Sequence, residues 1–290
     1  MAFKWTIQGL LIYAMIAAYF FAFVATLLHQ RKTRKTGTVT YFLGFLIGCA
    51  AIAYRWVNVS HIPMQNLFEV FLVLGVLVYP ISIFCERVLR IGGVAGDMLI
   101  GIIVLFPAGF IFNAEPRQLP PALQSWLFGP HVFVYMLSYV IMAKAAIQAG
   151  LQLLWKGVAL EAPNFMLGVN PQDKPGGLPD PTSVPHLLSP EEATYQTIRL
   201  GFPLLTLGLA LGSVWGQQAW GDWWGWDPKE LWSLASWLVY VGYLHFRYMF
   251  GRRFSRINSL WAVVGLAVII ITLLWVNLSR LFPGMHSYAM

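Results

Sequence analysis

Histidines and indoles are the residues of this chain whose chemistry reaches beyond packing. Residues 215–237, WGQQAWGDWWGWDPKELWSLASW, hold seven of its 13 tryptophans, and five of those lie between Trp215 and Trp226. Tryptophan normally anchors a bilayer interface singly. Five indoles in twelve residues, spaced by Gly216, Gly221 and Gly225, suggest instead a flat aromatic platform over a backbone that turns at its glycines. Such a platform suits a large planar ligand. Neutral imidazole is a strong ligand for iron, zinc and copper, and His61, His131 and His286 each fall beside the end of an apolar segment on the same side as this loop. Two of them ligating one iron from opposite faces would make a haem site. Zinc is less attractive, because no HExxH or paired acids accompany these residues and an indole platform does nothing for a small cation.

Each of these residues also has a structural reading. A histidine near headgroups is commonly just a polar tip. Asp227 is fully explained as a helix N-cap by the Pro228, Lys229 and Glu230 that follow it. His29 precedes a basic turn and His186 sits in a polar loop, so solvation suffices for both. His245 is harder to dismiss, since it falls inside an apolar segment, where ionisable groups are scarce and usually functional; snorkelling towards the nearby basic turn is the alternative. Lys144, near the middle of another segment, is the costliest group in the chain and is expected to face the bundle interior or a wet cavity. No partner for it is evident from the sequence.

The elements that position these groups are membrane spans. Hydrophobic residues make up 58% of the 290 and charged ones 11%, against about 25% charged in a soluble domain. Apolar runs of bilayer length recur at roughly 5–28, 38–57, 67–85, 94–113, 131–154, 195–215, 229–249 and 257–278. The expected class is an all-α polytopic membrane protein of about eight spans, one membrane domain over 1–290, with residues 215–228 an external loop. No small-residue cleavage site follows the first apolar run, which is therefore expected to be a retained helix. The net charge of +7 then reads as topology and not as nucleic-acid binding. HQRKTRKTG after the first span, Arg87 and Arg90 after the third, and RYMFGRRFSR after the seventh mark the cytoplasmic side. Both termini and the tryptophan loop then lie outside, and the Pro- and Gly-rich stretch 156–193 is a cytoplasmic loop.

Helix starts are legible in several places. Asp227-Pro228-Lys229-Glu230 and Ser189-Pro190-Glu191-Glu192 each combine a cap, a proline at the first helical position and an acid at the third, and Asn66 with Glu69 does so more weakly. Gly129-Pro130 opens the fifth span, placing His131 in its first turn, and Pro203 is expected to kink the sixth. Cys49 and Cys85 stand far apart and no CxxC or CxxCH occurs, so the chain is neither a c-type cytochrome nor a dithiol oxidoreductase of the usual kind.

With those residues in view, a resemblance is apparent. WGDWWGWDPKELWSL from Trp220 resembles the WWD signature of the haem-handling proteins of cytochrome c assembly. HIPMQNLFE at 61–69 is similar to that family's His-Pro-x-x-Asn-x-x-Glu segment, and Pro130-His131-Val132 and Gly284-Met285-His286-Ser287 are similar to its flanking external histidines. Eight spans resemble the CcsA/ResC type of the system II pathway. The resemblance implies that Trp223, Trp224, Trp226 and Asp227, with Trp220 at the head of the motif, hold haem b at the outer face. It implies His131 and His286 as outer axial ligands and His245 as a ligand of an inner haem site; His61 could compete for an outer role, although Pro63 and the capped helix explain it structurally. The implied work is the haem-handling half of a cytochrome c synthase, which presents haem for thioether formation with the two thiols of an apocytochrome c CxxCH motif. The implied partners are a CcsB/ResB-like membrane subunit, the apocytochrome and thiol-reducing proteins, in the lipid of a bacterial plasma (inner) membrane. Arg55, Arg117, Lys229 and Arg280 are outward basic residues that could meet the propionates. The alternatives are a haem exporter that loads a chaperone, like the six-span CcmC type, and a membrane b-type cytochrome that only moves electrons.

Overall fold

Cap residues and apolar periodicity divide the chain into rods. The computed structural model describes residues 5–28, 31–116, 118–154 and 187–275. Among them the regular structure is helical, with no strand. The α-helices are α1 (Ile7–Leu27), α2 (Arg31–Val59), α3 (Leu67–Arg87), α4 (Val94–Phe110), α5 (Phe128–Leu154), α6 (Pro190–Trp220), α7 (Pro228–Phe250) and α8 (Ser255–Ile270). Each falls on one of the apolar segments seen in the sequence.

The caps act as their residue types require. The Asn66 side chain accepts from Glu69 N at 3.0 Å and Ser189 from Glu192 N at 3.4 Å. Asp227 accepts from Lys229 N at 2.9 Å while Glu230 returns to Asp227 N at 3.1 Å, closing a capping box. Each such cap is worth about 1 kcal/mol of helix stability.

Six helical segments are long and apolar enough to cross a membrane. They are Ile7–Leu27, Lys35–Val59, Leu67–Arg87, Phe128–Leu154, Pro190–Trp220 and Pro228–Leu274, the last joining α7 and α8 through a 3₁₀ turn, Gly251–Phe254. Val94–Phe110 is apolar but shorter. Large apolar side chains such as Phe20, Leu43, Ile103, Leu207 and Val264 point outward from these rods. In water that surface would aggregate; in a bilayer it is the solvated face. The chain is a polytopic membrane protein.

α5 joins two halves. On one side α1–α4 pack around Tyr19, Tyr41, Phe68 and Leu105, and on the other α6–α8 pack around Ile198, Leu205, Tyr240 and Tyr243. α5 supplies Met136, Val140 and Ile141 to a cluster with α3, and Met142, Ala145 and Ala149 to a cluster with α6.

Ion pairs tie neighbouring helices together. Lys144 Nζ is 2.5 Å from Asp97 Oδ2 at the start of α4 and donates to Gly92 O at 3.2 Å. Ser82 donates to the same carboxylate oxygen. This supplies the partner that the sequence left unnamed. At the basic end, Arg247 meets Glu191 at 2.7 Å and Arg252 meets Glu192 at 2.8 Å, tying the end of α7 to the start of α6. Arg55 is not available to an external ligand. It is 3% exposed, lies 2.8 Å from Glu69, and also donates to the carbonyls of Ala114 and Glu115. A buried guanidinium needs that full set of partners.

Candidate functional site

Alternation of the helices gathers the starts of α3, α5 and α7 and the ends of α6 and α8 around one cleft. It lies at the helix ends opposite those that carry Arg87 and Arg247.

His131 stands in the wall of this cleft, on the first turns of α5. Its Nδ1 lies 2.9 Å from Gly208 O. A carbonyl only accepts, so Nδ1 carries the proton and the lone pair is on Nε2. The ring stacks on Trp215 with centroids 5.8 Å apart at 14°, and meets Tyr135 edge-on at 5.2 Å and 88°. It also passes close to Gly212, where an added Cβ would stand 2.5 Å from His131 Cε1. Trp215 is itself pinned, 1% exposed, with its indole N–H donating to Ala122 O at 3.0 Å. The imidazole therefore has one orientation, set by α6.

The tryptophan loop departs from the flat platform expected of it. α6 runs on to Trp220, so Trp215, Gly216 and Trp220 are helical, and the turn begins at Gly221, whose φ of 88° ends the helix. The second left-handed residue is Trp226, at φ 55°, and not a glycine. Trp215 and Trp220 meet at 68° and Trp224 and Trp226 at 86°. Edge-to-face contact satisfies the ring quadrupoles that a coplanar array would oppose. Trp224 lines the cleft, while Trp223 and Trp226 are 58% and 66% exposed and are not part of its lining. Ser213 holds the loop by donating to Trp223 O at 2.8 Å, and Glu230 accepts from both Gly225 N and Asp227 N. Asp227 is 5% exposed and works as the cap.

The cleft holds about 160 Å³. Drug-sized ligands fill roughly 300–1,000 Å³, so a large planar ligand would enter by one edge and lean the rest against the rim. Lys229 is the one Lys or Arg among the described lining residues, and Glu230 is already engaged by the loop. An aromatic and aliphatic slot with one imidazole lone pair and one ammonium can therefore hold a planar metal complex that bears an acidic edge.

The other predicted residues separate from this cleft. His61 lies in a neighbouring groove and not in the lining of the cleft. His245 is exposed on α7, below Leu231 and Leu238 on the same outward stripe. Its Nδ1 lies 2.9 Å from Val241 O and so carries the proton, with the lone pair on Nε2. Among the described residues there is no group of three or more His, Cys, Asp or Glu that could hold a metal ion. His29, His186, His286, Arg117 and Arg280 lie outside the described residues, as does most of 156–193.

Sequence reasoning missed the devices that aim His131. The signal was present: Gly208, Gly212 and Gly216 repeat every fourth residue on α6, the small-residue spacing that admits close approach between membrane helices. The tryptophans that follow it in sequence carry the more conspicuous pattern.

The model of the family described as "Cytochrome C assembly protein" matches residues 43–283. The chain is similar to "Cytochrome c biogenesis protein CcsA" of Synechococcus elongatus, 32% identical over 287 residues, covering 87% of this chain and 86% of that one. It is also similar to the protein of that name in Prochlorococcus marinus, at 30% identity over 97% of this chain and 91% of the relative. Among solved structures, "Cytochrome c Heme Lyase CcmF" superposes with a TM-score of 0.67 at 18% identity. That superposition covers 94% of this chain but 48% of the other, so this chain spans about half of CcmF and the likeness is one of fold.

Proposed function

The chain belongs to the cytochrome c assembly protein family, and from that premise we propose that it handles haem b for covalent attachment to apocytochrome c. The observation that carries this reading is His131, oriented by Gly208 and Trp215 so that Nε2 is the ligating atom in an aromatic slot. Fit to haem is supported by three features of the slot. Its walls are aromatic and aliphatic, its volume of about 160 Å³ is enough for one edge of a porphyrin, and Lys229 can meet a propionate.

In this account haem is a substrate. His131 is one outer axial ligand, and His286, outside the described residues, is the second. Ligands from different helices can approach opposite faces of one ring, which neighbours on one helix cannot do. Trp220, Trp223, Trp224 and Trp226 flank the exposed edge, and Asp227 holds the loop that carries them. His61 is left out of the ligand set because it faces another groove. The reaction adds each CxxCH thiol across a haem vinyl group, so that sulfur bonds carbon and the thiol proton passes to the other vinyl carbon. The contribution of the protein is position and orientation.

His245, on the lipid-facing stripe of α7, belongs to an inner haem site whose second ligand comes from a CcsB/ResB-like subunit. We further read eight spans, with α4 and α8 counted separately, as one membrane domain over 1–290. The tryptophan loop and both termini lie outside a bacterial plasma membrane and 156–193 inside, and thiol-reducing proteins supply reduced substrate. Co-expression with a CxxCH apocytochrome tests the function: a haem-stained band that survives denaturing electrophoresis is expected. Haem bound by the protein with no such band would overturn it.

A further inference from the structure

In the segment HIPMQNLFE, Met64 to Leu67 line the cleft, and Glu69 at its end is a fully buried carboxylate that the proposed ligation leaves unused. A capping acid needs only the N–H groups at the start of its own helix. Glu69 Oε2 meets that need by accepting from Gln65 N at 2.8 Å. Its Oε1 serves another helix, taking the Arg55 guanidinium of α2 at 2.8 Å.

Through these two partners the carboxylate reaches the outer segment between α4 and α5. Arg55 donates to Ala114 O at 2.5 Å and to Glu115 O at 3.4 Å, and Gln65 Nε2 donates to Gln118 O at 3.0 Å. Further on, the 3₁₀ turn Pro121–Gln124 offers Ala122 O to the Trp215 indole at 3.0 Å, and Ser125 donates to Gln218 at 3.0 Å. Leu123 and Leu127 are buried with Phe128 and Trp215. The segment then enters α5, where the His131 N–H bonds Leu127 O at 3.0 Å. A strap is thus held at its start by α2 and α3 and further along by α6, and it ends in the helix that carries His131.

The strap matters because Trp215 can fix the plane of His131 only as firmly as Ala122 O fixes Trp215. Irregular backbone has no ladder of its own, so its carbonyls take their places from the donors that reach them. Arg55 and Glu69, 3% and 0% exposed, are too deeply buried to touch haem themselves.

We infer that Glu69 and Arg55 are positioning residues for the haem ligated at His131, acting through the strap that they hold against Trp215 and the start of α5. The inference rests on the proposed function and names what keeps that ligand in place. Its test uses the full-length protein purified with its bound haem and read by absorption. Arg55→Met with Glu69→Leu removes the pair without stranding either charge, an exchange that is often neutral for stability. This variant should accumulate, with haem content reduced severalfold. Its Soret band should be displaced in the same direction as in Trp215→Phe, which keeps a ring and removes the N–H donated to Ala122 O. Combining all three substitutions should displace the band no further than Trp215→Phe alone, because both changes act through one strap. Lys144→Met with Asp97→Leu makes the same exchange at the buried pair at the start of α4 and should leave the band at its wild-type position. Gln65→Leu with Ser125→Ala frees two other anchors of the strap with no charge involved, and should displace the band in the direction of Trp215→Phe. A wild-type band in the Arg55 and Glu69 variant or in the Gln65 and Ser125 variant would overturn the inference. So would a displacement that adds to that of Trp215→Phe, or an equal one in the Lys144 and Asp97 variant. Wild-type protein that carries no haem would instead overturn the function from which it starts.

Discussion

Lys144 shows at the level of single residues what a membrane interior demands. Its ammonium is fully enclosed and satisfied by the Asp97 carboxylate and Gly92 O. Removing one partner strands the other as a buried charge, which costs about 3–5 kcal/mol, whereas replacing both with apolar residues of similar size is often neutral. Lys144→Met alone is therefore expected to lower accumulation and thermal stability sharply, and Lys144→Met with Asp97→Leu to recover most of both. Detergent-solubilised thermal denaturation checks this; a double variant no better than the single one would show the pair to have a role besides charge compensation. The sequence revealed Lys144 as anomalous because charge in an apolar run is conspicuous. Asp97 escaped notice because an acid in the first turn of a helix is ordinary. Arg55 was misjudged for a related reason, since its partner Glu69 was already accounted for by the cap at Asn66.

α6 is the element that converts sequence into site geometry. Its Gly208 carbonyl, Gly212 surface and Trp215 ring hold three sides of the His131 imidazole. Gly212→Ala would place a methyl 2.5 Å from Cε1 of a ring that is stacked and hydrogen-bonded and cannot rotate away cheaply. The helix itself gains propensity from Ala, by up to about 1 kcal/mol. The expected outcome is normal accumulation, haem content reduced severalfold and a shifted Soret band, read from the absorption spectrum of the purified protein. Wild-type haem content would show that His131 is not held as described. Element ends were largely readable, because Asp227, Ser189 and Asn66 are capping residues acting locally. The extension of α6 to Trp220 was not, since glycine and tryptophan both signal a loop until packing against Phe128 and Ala122 decides otherwise.

Across the whole molecule, helix alternation places every cleft element at one end and the arginine-rich turns at the other. If the basic end is cytoplasmic, a cysteine-free background carrying Asn113→Cys should react with an impermeant maleimide added to intact cells. Val88→Cys, exposed at the end of α3, should react only after permeabilisation. The reverse pattern would invert the topology. Composition and hydropathy made the class and the rods legible, because a bilayer constrains every residue that faces it. The cleft was legible only as a list of residue types. Which indole stacks on His131, and that His61 turns into a different groove, depend on contacts between helices far apart in sequence.

The central claim is that His131 Nε2 ligates haem iron in the aromatic cleft, and a cavity-rescue spectrum tests it most directly. His131→Gly protein, purified after co-expression with an apocytochrome, should lack the low-spin bis-histidine spectrum and make no thioether product. Added imidazole, filling the vacated iron position, should restore the spectrum and part of the product, while His61→Gly should show no response to imidazole. An unaltered spectrum in His131→Gly, or rescue by imidazole at His61 in its place, would contradict the account.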